Sequence, residues 1–305
     1  MVEEFFILNK EIKGPLNLKF TMESEQFTNS NWRRIGEKYR KVVKIKGKLV
    51  GLEVWQEGSV EKPKIHVKIY CKNKVKVEDF KSRIIQELGL NYDLEAVYDR
   101  LENDAVSKKL INQFRGLRLV RYLNLEECLI TYQLSANTMI KRLEQMCEAL
   151  KQRFCEKFRF DDGMVLAVFP TVKHLSEATL KDFEECKLGY KAKPFFKLIK
   201  TLTRKPVNWE KLEKMDIVKA KRILMGLPGV GEKVADAVLL YGLGRTEVLP
   251  IDVWVRRTLI KLYGLNPNLT YKKLQNFVKE KFGEFSGYFG PYLFYYGRAR
   301  KVVLD

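Results

Sequence analysis

Met225-Gly226-Leu227-Pro228-Gly229-Val230-Gly231-Glu232-Lys233-Val234-Ala235-Asp236 opens the stretch that decides the fold, and it runs on through Pro250-Ile251-Asp252-Val253-Trp254 to Arg257. A glycine hairpin, Leu227 to Gly231, separates two segments with helical apolar spacing. Ile217, Ile223 and Leu224 mark the first, and Val234, Ala237, Val238 and Tyr241 mark the second. Gly229 and Gly231 bracket Val230, which allows a tight turn with its backbone N–H groups turned outward. Beside a helix N-terminus, such amides suit a phosphate. A helix-hairpin-helix of this kind holds a DNA backbone without reading its sequence. An ordinary turn between two helices has the same glycine spacing, so the hairpin alone does not choose between them.

Two residues argue for the functional reading. Lys233 falls in the first turn of the second helix, where the helix dipole already presents positive charge. Positive potential and partial burial both depress an ammonium pKa and make the amine a better nucleophile. Asp252 follows Pro250-Ile251 and precedes Val253-Trp254-Val255-Arg256, so it reads as the N-cap of the next helix. One helix and one loop separate the two residues, enough for the chain to return to the same mouth. Lysine and aspartate at neighbouring helix N-termini make an amine nucleophile with a carboxylate partner. The plain alternative is a solvated lysine and a simple cap.

With these residues in place, LPGVGEKVAD followed by PIDVW resembles the helix-hairpin-helix DNA glycosylase superfamily, in its lysine-nucleophile branch. Within that branch the likeness is greatest to the 8-oxoguanine DNA glycosylase/lyases, and it extends over essentially the whole chain. The resemblance implies an α+β architecture: an antiparallel β-sheet domain with flanking helices over residues 1–105, then a helical glycosylase domain over 106–305.

The chain in order agrees with this expectation. Pro15 to Phe20, Val42 to Gly47 and Ile65 to Tyr70 alternate apolar and polar residues and read as strands. Glycine and asparagine punctuate them, which predicts an antiparallel sheet with one solvated, lysine-rich face. From about Val77 the period becomes helical and remains so. Ser24-Glu25-Gln26-Phe27 resembles the family's Ser-Gly-Gln turn, whose glycine carbonyl accepts from N7–H of the oxidised base; here Glu25 replaces the glycine. Asn137 and Arg142 fall where the family faces the orphaned opposite base. Tyr190 falls where a wedge fills the gap left by the extruded nucleotide. Lys191 replaces the following arginine, removing a planar bidentate fork. Trp254 stands where a phosphate-touching histidine is usual, and Ala237 where a cysteine often lines the base pocket. Phe294 takes the place of the phenylalanine that stacks on the base, and Gly290 that of a glutamine that reads its edge.

The composition fits a nucleic-acid partner. The 305 residues carry a formal charge of +19, which favours a polyanion, nucleic acid first and acidic membrane second. No apolar run approaches the roughly 20 residues of a membrane span, and the acidic start MVEEFF is unlike a secretory signal. Five scattered cysteines with no C-x-x-C spacing read as reduced thiols of a cytoplasmic protein, here expected to be prokaryotic and to act at the nucleoid. Two histidines, His66 and His174, leave little for a histidine metal site or a Ser-His-Asp triad.

The expected partner is therefore double-stranded DNA containing an oxidised purine, bound by a monomer, with Gly229, Val230 and Gly231 on the backbone. The resemblance implies that Lys233 attacks the sugar C1′ and Asp252 stabilises the positive charge developing there. The chemistry calls for no metal or organic cofactor, although the hairpin carbonyls could coordinate a monovalent ion. Two rivals share the fold. An alkylpurine or hypoxanthine glycosylase would use aspartate alone, and a non-catalytic DNA-structure-binding module would gain nothing from keeping Lys233 and Asp252 together.

Overall fold

The computed structural model describes residues 1–28, 31–72 and 75–300. Its N-terminal part is built on five antiparallel strands: β1 (Val2–Ile7), β2 (Arg33–Ile35), β3 (Lys38–Ile45), β4 (Lys48–Gly58) and β5 (Pro63–Tyr70), in the order β1-β5-β4-β3-β2. The period-two pattern decides which face is buried. Ile65, Val67 and Ile69 of β5 turn inward while His66 and Lys68 stay partly exposed. In the register, Val43 lies opposite Val50, and Val54 opposite Val67, so side chains of like character meet on one face. Lys46 and Gly47, both with positive φ, form the two-residue turn between β3 and β4, a conformation whose twist suits a hairpin.

One strand expectation fails. Pro15 to Phe20 is not extended; a short helix, Leu18–Glu23, begins inside it. Asn17 caps that helix by accepting from the Phe20 N–H at 3.0 Å, and Leu18, Thr21 and Met22 are its buried residues. Six residues of alternation also fit one helical turn, and the asparagine cap settles the outcome. The outer strand beside β5 is instead β1, antiparallel and paired from Val2–Tyr70 to Ile7–Ile65.

Helices follow from Val77–Glu87 onward, as the change of period predicts, but not without a break: Lys157–Arg159 and Val165–Ala167 pair as a two-stranded antiparallel hairpin where the period reads as helical throughout. The sheet is tied to them by a buried cluster: the Lys41 ammonium lies 2.5 Å from Glu87 and 3.5 Å from Glu127, while Asn31 donates to Glu127 at 2.7 Å. Arg118, 1% exposed, donates to the backbone carbonyls of Lys13, Pro15, Gly89 and Tyr92, joining the loop before Leu18–Glu23 to the loop after Val77–Glu87. One apolar core cluster runs from Ile7 in the sheet through Leu239 to Leu293 in the last helix. No helix is long and apolar enough to cross a membrane among the described residues.

Candidate active site

The glycine hairpin is the junction of two short helices, Ile217–Met225 and Glu232–Ala237, the second of which continues as a π-helical turn to Gly242. Asp216 caps the first helix by accepting from the N–H groups of Val218 and Lys219. Between the helices the Val230 N–H donates to the Leu227 carbonyl at 3.1 Å, and Gly229 takes φ 75°. A β-carbon on Gly229 would stand 2.6 Å from Gln133 Nε2, so both backbone sign and space favour glycine. Val230 is buried beneath the hairpin, whereas Gly229 and Gly231 are exposed. Gly231 caps the second helix with no side chain over the first-turn amides.

Lys233 projects from that first turn into a cavity of about 730 Å³. Its ammonium donates to Ser135 Oγ at 2.9 Å and sits 5.4 Å from the centre of the Tyr132 ring. Tyr132 in turn stacks on Tyr241, with ring centres 5.2 Å apart. An ammonium set on an aromatic slab has lost much of its water. This desolvation pulls the Lys233 pKa below the ordinary lysine value, while the negative charge of Asp252 pulls the other way. Asp252 lines the same cavity and caps the helix Val253–Tyr263, its Oδ1 accepting from Val255 N at 2.8 Å. Burial raises its carboxyl pKa, opposed by Lys233 and by the N–H groups of Val255 and Trp254. Each group thus resists being charged, and each favours the charge of the other.

The spacing between these two groups is held by Asp236, one turn after Lys233. Its buried carboxylate accepts from Lys221 of the preceding helix, from the Tyr271 hydroxyl at 2.6 Å and from Gln275 at 3.1 Å. Tyr271 accepts from the Ile251 N–H, the residue before Asp252. The network joins the lysine's helix to the aspartate's loop through side chains that the chain order keeps far apart.

Glu25, Asn137, Trp254, Gly290 and Phe294 also line the cavity. Ala237 does not: it is fully buried, and the wall above it is formed by Val234 and Tyr241. A methyl group one turn beyond Lys233 is too short to reach the cavity, which corrects the expectation that Ala237 forms a pocket wall.

The four residues expected at the opposite strand come together where the loop at Asn137 and the start of the helix Ile140–Phe154 are cross-tied to the turn Gly189–Lys191. Tyr190, 74% exposed, donates from its hydroxyl to the Asn137 carbonyl at 3.2 Å. Arg142 donates to the Lys187 carbonyl, and Lys191 to the Ala136 carbonyl. Asn137 is exposed with φ 50° and does not cap the next helix, whose N-cap is Met139. Lys191 departs from the sequence reading. It is 6% exposed, its ammonium is engaged within the protein, and desolvation followed by the nearby Lys233 charge lowers its pKa.

Sequence reasoning missed Ser135, Tyr132, Asp236 and Arg298. Nothing local marks Ser135 or Tyr132, which meet the lysine only in the fold. Arg298 carries a usable signal, since it follows Phe294 by four residues on the same helix. Among the described residues, no cluster of His, Cys, Asp or Glu side chains could hold a metal ion.

Comparison with known proteins agrees with this geometry. Residues 130–284 match the model of the HhH-GPD superfamily base excision DNA repair proteins, and residues 7–129 match that of the 8-oxoguanine DNA glycosylase N-terminal domain. The chain belongs to the HhH-GPD superfamily. A relative from Methanothermobacter thermautotrophicus named "Probable N-glycosylase/DNA lyase" is 28% identical over 311 aligned positions, spanning 96% of each chain. The Clostridium acetobutylicum 8-oxoguanine glycosylase/lyase, solved with duplex DNA containing cytosine opposite 8-oxoguanine, superposes with TM-score 0.83 at 28% identity over 99% of both chains. A 3-methyladenine DNA glycosylase from Archaeoglobus fulgidus has the same fold, with TM-score 0.83 at 23% identity over 98% of this chain and 100% of its own. The two superpositions score alike, so within this superfamily the overall fold does not select the damaged base.

Proposed function

We propose that the protein is a bifunctional DNA glycosylase/AP lyase of base excision repair that removes 8-oxoguanine from duplex DNA. The observation that carries this reading is the Lys233 amine, desolvated over Tyr132 and facing the same cavity as the Asp252 carboxylate. The match of residues 7–129 to the 8-oxoguanine DNA glycosylase N-terminal domain supports the choice of base.

The damaged nucleotide leaves the stack, at a cost of a few kcal/mol, and enters the cavity. As the C1′–N9 bond breaks, its electron pair leaves with the base and positive charge develops on the sugar, where the Asp252 carboxylate stabilises it. The neutral Lys233 amine forms the new bond to C1′ and gives up a proton. Opening of the sugar ring yields a Schiff base. Loss of a C2′ proton then expels the 3′ phosphate by β-elimination, which nicks the strand. Ser135, as the hydrogen-bond acceptor of the lysine, aims the amine.

Around this centre the hairpin amides of Gly229 to Gly231 hold a phosphate, with Trp254 alongside, and Phe294 stacks on the base. Tyr190 wedges into the gap, and Asn137 and Arg142 face the orphaned base. Lys191 acts from beneath by positioning the loop that carries Asn137. The protein works as a monomer, in the cytoplasm at the nucleoid, a setting suited to five unpaired cysteines.

The deciding experiment is borohydride trapping on duplexes carrying 8-oxoguanine, hypoxanthine or an alkylpurine. Covalent capture is expected on 8-oxoguanine. Capture on none of the three would remove Lys233 as the nucleophile, and capture confined to another base would reassign the substrate.

A further inference from the structure

Glu25 holds φ 61°, a left-handed backbone that glycine adopts without strain and glutamate does not. The surrounding turn compels it. Gln26 donates to Ser24 Oγ at 2.9 Å and to the Arg118 carbonyl at 2.8 Å, and its side-chain oxygen accepts from Val120 N at 3.1 Å. The Gln26 carbonyl accepts from the hydroxyls of Tyr122 and Tyr132 at 3.0 and 3.2 Å. The same Tyr132 lies beneath Lys233, so the turn and the lysine share one rigid support.

From this turn the Glu25 side chain reaches the guanidinium of Arg298 at the cavity wall. Its second oxygen, Oε2, is enclosed and has no hydrogen-bond partner among the described residues. An enclosed carboxylate oxygen without a donor is costly, and an N–H group arriving in the cavity would satisfy it.

Arg298 reaches the cavity on a shared helix face. Gly290, Phe294 and Arg298 follow at intervals of four along the helix Ser286–Ala299, and all three line the cavity. At residue 290 that face is blank. Leu249 Cδ1 stands 2.3 Å from where a β-carbon would be, in the space a longer side chain would enter. The helix therefore offers the cavity an aromatic ring and a guanidinium, with no polar group before them.

We propose that Glu25 and Arg298 act together as the reader of the extruded base, the carboxylate accepting from a ring N–H and the guanidinium donating to the carbonyl oxygen next to it. This deepens the 8-oxoguanine reading and rests on it. The edge that fits the pair is a lactam, an N–H adjacent to a C=O. 8-Oxoguanine carries two, N1–H with C6=O and N7–H with C8=O; 3-methyladenine carries none. The paired charges explain why a strained glutamate is tolerated where glycine would fold more easily.

The test measures two rates on the full-length protein: single-turnover excision of the base, and cleavage at a preformed abasic site, which has no base to read. Glu25→Gly removes the carboxylate, keeps the backbone carbonyl and relaxes the turn. Arg298→Met removes the donor at similar length. Each variant should lower the ratio of 8-oxoguanine excision to abasic-site cleavage roughly tenfold or more, the discrimination expected of a bidentate contact. An 8-oxoadenine duplex, which keeps N7–H with C8=O but lacks N1–H with C6=O, locates the contact. An equal loss on both bases places the pair on the N7–C8 edge; a loss confined to 8-oxoguanine places it on the N1–C6 edge. Glu25→Gly excising 8-oxoguanine at the parental rate overturns the proposal, as does a parallel fall of excision and abasic-site cleavage. A parent that cannot cleave abasic sites overturns the lysine reading instead, and this one with it.

Discussion

The two sides of the cavity are built in opposite ways. On one side, Lys233 and Asp252 come from consecutive elements, each placed by its own helix N-terminus. On the other, Glu25, Leu249, Phe294 and Arg298 come from the turn after the helix Leu18–Glu23, a loop and the last helix. In the proposed reaction the first side supplies the bond-making groups, and the second supplies the surface against which a base would lie. On that proposal bond-making is local in the chain and base selection is distributed.

The strongest way to break this comparison is to remove the nucleophile. Lys233→Gln should abolish covalent trapping and strand cleavage while damaged-DNA binding persists. Cleavage near the parental rate would show that the lysine side is not the chemical side. The same variant should be at least as stable as the parent in thermal denaturation at neutral pH. A lysine whose folded pKa lies below its unfolded value weakens the fold wherever it is charged, and glutamine removes that penalty.

Asp252→Asn should reduce turnover by orders of magnitude and leave the fold nearly unchanged, since asparagine can still cap Val253–Tyr263. Full activity would reduce the aspartate to a cap. The variant also sharpens the electrostatic argument. In the parent, trapping should rise with pH along a limb below the ordinary lysine pKa of about 10.4, because Lys233 must lose its proton. As pH falls, activity should fail above the usual carboxylate range, where the raised Asp252 carboxyl takes up a proton. Removing the Asp252 charge should shift the lysine limb to still lower pH. A limb that stays in place would show that the two groups are not coupled.

Ser135→Ala removes one hydrogen bond to the lysine. The expected loss is about 0.5–1.5 kcal/mol, a rate reduction of roughly two- to tenfold in single-turnover assays. The last effect, of similar size, is on stability and belongs to the distributed side. Gly290→Gln should lower stability by an amount near the low end of the roughly 1–3 kcal/mol typical of overpacking, because the obstructing Leu249 atom ends a flexible side chain. Leu249→Ala in the same chain should relieve the clash, which thermal denaturation of the single and double variants would show.

The parts of the molecule differ in how much of them a reader of the sequence could reach. The strand at Ile65 to Tyr70 and the start of helix at Val77 follow local periodicity and are where it puts them, whereas the strand read from Val42 to Gly47 ends at Ile45, because Lys46 and Gly47 make the turn. Leu18–Glu23 defeated the same method, because a six-residue alternation is also compatible with a capped helical turn. Asp252 as an N-cap was legible because a capping residue announces itself beside the helix it starts. Lys191 was misjudged because its number of charges is written in the sequence and its burial is not.

By itself, then, the sequence determined the passage from strands to helices near Val77, the hairpin, and the placing of a lysine and an aspartate at neighbouring helix N-termini. These follow from backbone sterics, caps and periodicity, which act over a few residues. Tertiary structure alone decided that Ser135 receives the Lys233 ammonium, that Tyr132 desolvates it, that Lys191 turns inward, and that Glu25 meets Arg298. Those outcomes depend on which distant side chains share one low-dielectric space, and burial, unlike helix capping, is a property of the packed whole.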